Sequence, residues 1–144
     1  MQAKTEFDPE ANGWTRVRPS GFTALIGPIW KKVEDGRPRF AFTVEAKHDN
    51  TAHRAHGGMV MAFADEAMGL AVFHHKPDAQ HLTVSFTTQF IDGARIGEFV
   101  EIEPEVVRST RSLAFMEGRV HVGDRIIGTC SGVWKTLHPK ASTA

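Results

Sequence analysis

The sequence predicts an α+β fold in which one long helix is wrapped by an antiparallel sheet of about five to six strands. Three observations carry that expectation. Between Met59 and Val72 the apolar residues fall in pairs four apart (Met59–Val60, Phe63–Ala64, Ala67–Met68, Ala71–Val72), which makes one stripe on a helix. The rest of the chain holds short runs in which apolar and polar residues alternate, separated by turn signals. Strands follow one another around a single helix, and that order excludes a sheet of alternating strands and helices.

In chain order, residues 1–13 are polar and aperiodic and read as a loose tail. Residues 14–22 show no clear period and are expected to form at most a short helical lead-in. A strand is expected from Leu25 to Glu34, with Pro28 suited to an edge or a bulge. Asp35-Gly36 is a tight-turn signal, after which Phe40, Phe42, Val44 and Ala46 alternate with Ala41, Thr43, Glu45 and Lys47 as the returning strand. The long helix ends near His74-His75, with Pro77 as a stop. A third strand runs from His81 to Ile91, with Leu82, Val84, Phe86 and Phe90 on one face and Thr83, Ser85, Thr87 and Gln89 on the other. Strands over Phe99–Val107, Leu113–Val122 and Arg125–Lys135 complete the set, and residues 138–144 form a second tail. One domain over residues 14–137 results.

Composition narrows the function classes. At 144 residues the chain is long enough for one real core. Lys plus Arg and Asp plus Glu are 17 each, so no charge excess points to nucleic acid or a membrane surface. The single Cys130 excludes an internal disulfide and sits in a strand-like run, as a small core residue does. No apolar run reaches the ~20 residues of a membrane span and no signal-peptide core is present, so a soluble, cytoplasmic protein is expected. Six of the eight histidines fall between His48 and His81, yet none has the four-residue helical spacing of a zinc pair, and no metal site is expected.

The helix itself holds the chemistry. Its far side is mostly Ala, Gly and Met, so it is expected to be buried nearly all round, and Asp65 then stands out as a carboxylate that must be paired, protonated or functional. At its start, Gly57 and Gly58 allow close approach to backbone N–H groups that lack intrahelical partners, a place for an anion or a developing oxyanion. Gly57 and Asp65 are separated by ~12 Å along the axis, at ~1.5 Å per residue. One carbonyl cannot touch both from the same chain. If they act together, a second copy of the helix must run antiparallel beside the first, as in a two-fold dimer.

His56-Gly57-Gly58, six residues, then Asp65 resembles the signature of hotdog-fold acyl-CoA thioesterases of the phenylacetate-pathway and human thioesterase-superfamily-member type. The resemblance spans about residues 20–136. It implies a hotdog fold, acyl-CoA as substrate, no cofactor, and a homodimer with shared active sites, assembled further as a tetramer. Asp65 is then the general base or nucleophile, and the Gly57 N–H polarises the thioester carbonyl. His56 lies against that carbonyl, Asn50 braces the loop or bonds the substrate, and Thr83 helps the acid hold water. Arg108, Arg111 and Ser112 belong to a hairpin loop that the resemblance brings to the phosphates of coenzyme A, which forked guanidinium donors suit. Gly58, Met61 and Met68 are expected along the substrate. Glu66, ~100° around the helix from Asp65, reads as structural or as a rim residue. The chain departs from the family at Thr51, where a Pro is common, at His53, where a small residue is usual, and at Gly69, where a related branch holds water with a Thr.

For each residue a plainer reading stands beside the functional one. Asp65 can be a helix-flank acid paired with Arg54 or a His; the glycines can merely make a turn; the arginine loop can be solvated. Two further classes stay open: a hydratase or dehydratase acting on acyl thioesters, using Asp49 with His53 or His56, and a non-catalytic acyl-CoA sensor. Which acyl group is bound is not legible, because Met61, Met68 and Phe63 suit an aryl group or a medium chain equally.

Overall fold

The computed structural model describes residues 6–138. Its elements are β1 (Thr15–Arg16), α1 (Phe22–Ile26), β2 (Trp30–Glu34), β3 (Arg37–Thr43), α2 (Gly57–His75), β4 (Gln80–Phe90), β5 (Phe99–Ile102), β6 (Glu105–Ser109), β7 (Leu113–Val122) and β8 (Arg125–Leu137), with short 3-10 turns at Glu10–Asn12 and Ala46–His48. All strands join one antiparallel sheet in the order β1-β2-β3-β5-β7-β8-β4, with β6 paired to β7 beside that path.

The helix stripe read from the sequence is the buried side of α2: Met59, Val60, Phe63, Ala64, Ala67, Met68, Ala71 and Val72. It packs on β3, β4, β7 and β8, where Phe42 meets Phe63 at 4.7 Å between ring centroids and Ile102, Met116 and Trp134 fill the sheet side of the core. Burying several large side chains at roughly 1.5–3 kcal/mol each is what holds a helix of this length on the sheet. The far side is not buried in the single chain: Met61 and Phe73 are exposed and Asp65, Glu66, Gly69 and Leu70 are half-buried. The expectation of a helix buried nearly all round is therefore not met within the single chain.

Eight strands replace the expected five or six, for local reasons. The run Phe99–Val107 divides into β5 and β6 at Glu103-Pro104, where proline has no N–H to give a ladder. The stretch from Leu25 is not strand: α1 occupies Phe22–Ile26 and β2 begins only at Trp30. The lead-in before it contains the two-residue β1 rather than a helix. Phe7, within the expected tail, packs against Phe99 with tilted rings 4.6 Å apart. The Asp35-Gly36 turn is as read, with φ of 52° and 74° at its two residues, the conformation that favours a tight hairpin.

The largest departure is in β4. Thr83 pairs with Trp134 and Ser85 with Val133, so Val84 is a bulge. An extra residue reverses the alternation beyond it. Thr83, Phe86 and Phe90 therefore all lie on the helix side: Thr83 reaches Asp65, Phe86 packs on Trp134, and Phe90 sits over Gly57. Simple alternation had placed Thr83 on the opposite face from the two phenylalanines.

Candidate functional site

Among the described residues, three concavities bear on the site. One, of about 780 Å³, lies on the outer sheet face among Thr87, Gln89, Glu117, Arg119, Thr129 and Ser131 and contains none of the candidate residues. The other two flank α2. A groove of about 410 Å³ runs along its C-terminal half, from Asp65 and Thr83 past Gly69, Leu70 and Phe73 to His81. A groove of about 290 Å³ lies at its N-terminal half, between α1 and the first turns, and includes Asp49, His56, Gly58, Met59 and Ala62. The structure thus places the acid and the helix N-terminus of one chain in different grooves, as the ~12 Å axial separation requires.

In the first groove the Thr83 hydroxyl donates to Asp65 Oδ1 at 2.7 Å. Asp65 is half-buried rather than deeply buried, so its paired carboxylate faces an open channel. Asp65 does not pair with Arg54, whose guanidinium donates to the His53 carbonyl. The Thr83 oxygen, having donated its proton, keeps lone pairs for a water proton, and Asp65 Oδ2 stays available as an acceptor. Glu66 is half-buried in the same groove. Burial pushes its carboxyl above the ordinary range; a hydrogen bond with Thr23 of α1 opposes that and neighbouring Asp65 adds to it.

At the helix start, His56 is the N-cap: its Nδ1 accepts the Gly58 N–H at 2.9 Å. A neutral His56 that accepts at Nδ1 carries its proton on Nε2, which is therefore a donor directed away from the cap. Gly58 is spent on this cap, and a Cβ there would meet His56 Nδ1 at 3.0 Å. Among the described residues nothing accepts the Gly57 N–H. Gly57 and His56 Nε2 thus supply two donors at the positive end of a 19-residue helix.

The loop before them is braced from inside. Asn50 Oδ1 accepts from the Ala52 and Arg54 N–H groups at 2.8 and 3.1 Å, so Asn50 shapes the loop. His48, which the sequence did not single out, is buried and engages three segments. Its Nδ1 takes the Glu45 N–H, its Nε2 pairs with the Ile26 carbonyl at 2.6 Å, and its own carbonyl takes the His56 N–H at 2.7 Å. Asp49 does pair with His53, at 3.4 Å, but that imidazole is largely in solvent and lines neither groove.

The remaining candidates separate. Arg108 and Arg111 are exposed, with no carboxylate partner among the described residues, and Ser112 holds β8 by accepting the Thr136 N–H through its carbonyl. The loop of Arg111 and Ser112 is tied to the end of α2, since Lys76 Nζ donates to the Thr110 carbonyl. Met61 is exposed and outside both grooves. Met68 is fully buried, its Cε against Gly118, and lines neither groove; it is a packing residue in this conformation. Cys130 is buried, and burial pushes its thiol up to about 11, so it is no nucleophile.

Comparison with known proteins adds three findings. The family described as the thioesterase superfamily matches residues 53–129. An esterase-like protein of Pseudomonas aeruginosa is 31% identical over 119 residues, covering 81% of this chain and 89% of its own. Among solved structures, the E. coli PaaI protein from the phenylacetic acid degradation operon superposes with a TM-score of 0.73 at 16% identity, covering 81% of this chain and 83% of that one. A hypothetical thioesterase of Streptococcus pneumoniae with coenzyme A superposes at 0.70 and 17% identity, covering 78% and 91%. At such identities these two structures speak to the fold.

Proposed function

From the premise that this chain belongs to the thioesterase superfamily and has its hotdog fold, we propose that it hydrolyses acyl-CoA thioesters to free acid and coenzyme A, with Asp65 as the base. The observation that carries the reading is the 2.7 Å hydrogen bond from Thr83 to Asp65 inside an open groove. A water held between Asp65 Oδ2 and Thr83 Oγ1 gives its proton to the carboxylate as its oxygen attacks the thioester carbonyl carbon. The carbonyl electrons move to oxygen, where the Gly57 N–H and His56 Nε2–H meet the developing charge. Collapse expels the CoA thiolate, which takes the proton back from Asp65. Attack by Oδ2 itself, through an anhydride, uses the same groups. Single-turnover hydrolysis in heavy-oxygen water separates the two routes, because only the anhydride route leaves label in Asp65.

The two halves come from two subunits. Strand β4 is an edge strand of the sheet and, among the described residues, pairs only with β8. It leaves 11 residues of free edge, with Leu82, Val84, Phe90 and Ile91 55–60% exposed. A long apolar edge of this kind is a template for a second chain. Antiparallel pairing about a two-fold axis at Thr87, with Val84 skipped as the bulge, sets Thr83 opposite the partner's Phe90, which in each subunit covers Gly57. That arrangement brings Asp65 and Thr83 to the helix start of the other chain.

Thiol release from a panel of aryl-, short-, medium- and long-chain acyl-CoAs, run beside Asp65→Asn, tests the reading. Release that falls by at least a hundredfold in the variant supports it; wild-type turnover in the variant overturns it. Water added to an enoyl-CoA with the thioester intact would make the protein a hydratase instead, and acyl-CoA bound without any release would make it a sensor.

A further inference from the structure

We infer that the groove between α1 and the first turns of α2 receives the acyl arm of the thioester, and that Phe22 and Leu25 of α1 limit it to one aromatic ring or a short to medium chain. The inference rests on the thioesterase reading and names its substrate class.

A thioester has two arms, and α2 is flanked by two grooves. The groove that begins at Asp65 leads along α2 to Ala79, Gln80 and His81, beside Lys76. Lys76 holds the carbonyl of Thr110, in the β6–β7 loop that carries Arg111; Arg108, expected in that loop, instead lies in β6 paired with Phe115. Lys76, at that end, suits the phosphates of the CoA arm. The acyl arm is left with the groove at the helix start, which the two-fold pairing places across the subunit boundary from Asp65.

The chemistry of that groove fits carbon. Most of its polar groups are engaged: His48 with Glu45 and Ile26, Lys47 with the Gly27 carbonyl and Glu45, His56 Nδ1 with Gly58, and Asp49 Oδ2 with His53, while Asp49 Oδ1 and His56 Nε2 have no partner among the described residues. What it offers a ligand is Phe22, Leu25, Ile26, Met59 and Ala62. Phe22 and Leu25 are 62% and 73% exposed, on a helix of five residues. Two large apolar side chains side by side in water are a binding feature more than a folding one. The wall they form is held at its end, because His48 Nε2 pairs with the Ile26 carbonyl. At about 290 Å³ the groove lies at the small end of ligand sites, which span roughly 300–1,000 Å³. It has room for a ring or a modest chain.

The test is the kcat/KM of butanoyl-, octanoyl-, palmitoyl- and phenylacetyl-CoA for wild type, Leu25→Ala, Leu25→Trp and Phe22→Ala. Phe22 and Leu25 are exposed, so these variants are expected to fold, and thermal unfolding checks that. Wild type should prefer phenylacetyl- or octanoyl- over palmitoyl-CoA. The octanoyl-to-butanoyl ratio should fall about tenfold in Leu25→Trp, the discrimination that a methylene or two commands in an apolar pocket. The palmitoyl-to-octanoyl ratio should rise in Leu25→Ala and in Phe22→Ala. If wild type releases thiol and every variant scales all substrates alike, the acyl arm lies elsewhere and the thioesterase reading stands. If wild type releases no thiol from any substrate, that reading and this inference fall together.

Discussion

Replacing Thr83 by Val keeps the shape of the side chain and removes only the hydroxyl that donates to Asp65 at 2.7 Å. Hydrogen bonds to charged groups contribute roughly 1.5–3 kcal/mol. Thr83 is exposed and Asp65 half-buried in the single chain, so water competes and the lower end of that range applies. A loss of about 1.5 kcal/mol in the transition state is about tenfold in rate, at 1.36 kcal/mol per decade. Removing the second contact to the attacking water extends the fall to about thirtyfold. The assay is thiol release at saturating acyl-CoA, with KM measured on the same preparation. The drop should appear in kcat, with KM within about twofold, because Thr83 acts on water rather than on the substrate. Thr83→Ser keeps the donor and should stay within about threefold of wild type. A Val variant with wild-type kcat, or a Ser variant as slow as Val, would refute this role of the hydroxyl.

Two other perturbations separate stability from chemistry. Losing the His56 cap in His56→Ala should cost about 1 kcal/mol, and His56→Asn, a good cap, should recover that stability in thermal melts. The Asn variant should not recover kcat, since it lacks the Nε2 donor; recovery of both would reduce His56 to a cap. For Glu66, burial raises the folded carboxyl above its ordinary value of 4.5, so the folded state holds the proton more tightly than the unfolded chain. The stability that comes with protonation is present below about 4.5 and is lost as pH rises through the raised value. Glu66→Gln removes this dependence, so its Tm should equal or exceed that of wild type at pH 7 and the difference should shrink toward pH 4. A difference that does not change with pH would contradict this assignment.

The sequence speaks clearly where one physical rule governs a long stretch. All eight residues of the α2 stripe are buried, because a 3.6-residue period repeated over four turns leaves few other ways to hide so much apolar surface. The Thr83–Asp65 partnership was also expected, but through the family resemblance, since strand alternation placed Thr83 on the wrong face. The bulge at Val84 that corrects this leaves no mark in the alternation. Met68 was expected along the substrate although it belongs to the stripe, and the stripe prevailed. Helix α1 spans five residues, too short for any period to show, and its first residue was placed in an irregular lead-in and the others beside or in a strand. His48 escaped because its partners at Ile26 and His56 lie 22 and 8 residues away, and only the folded chain brings them together. The Ala-, Gly- and Met-rich far side of α2 was read as interior, yet it is open in the single chain. That composition fits a surface another subunit covers.

The central claim is that Asp65 of one subunit and the helix start of the other form one thioester-hydrolysing site. Co-expression of Asp65→Asn and Gly57→Val chains with different affinity tags, followed by purification of the doubly tagged dimer, tests it most directly. Each variant dimer alone should be inactive. In the mixed dimer one site carries both substitutions and the other carries neither, so thiol release should return to about half the wild-type rate per dimer. A mixed dimer as inactive as its parents would contradict a site shared between subunits.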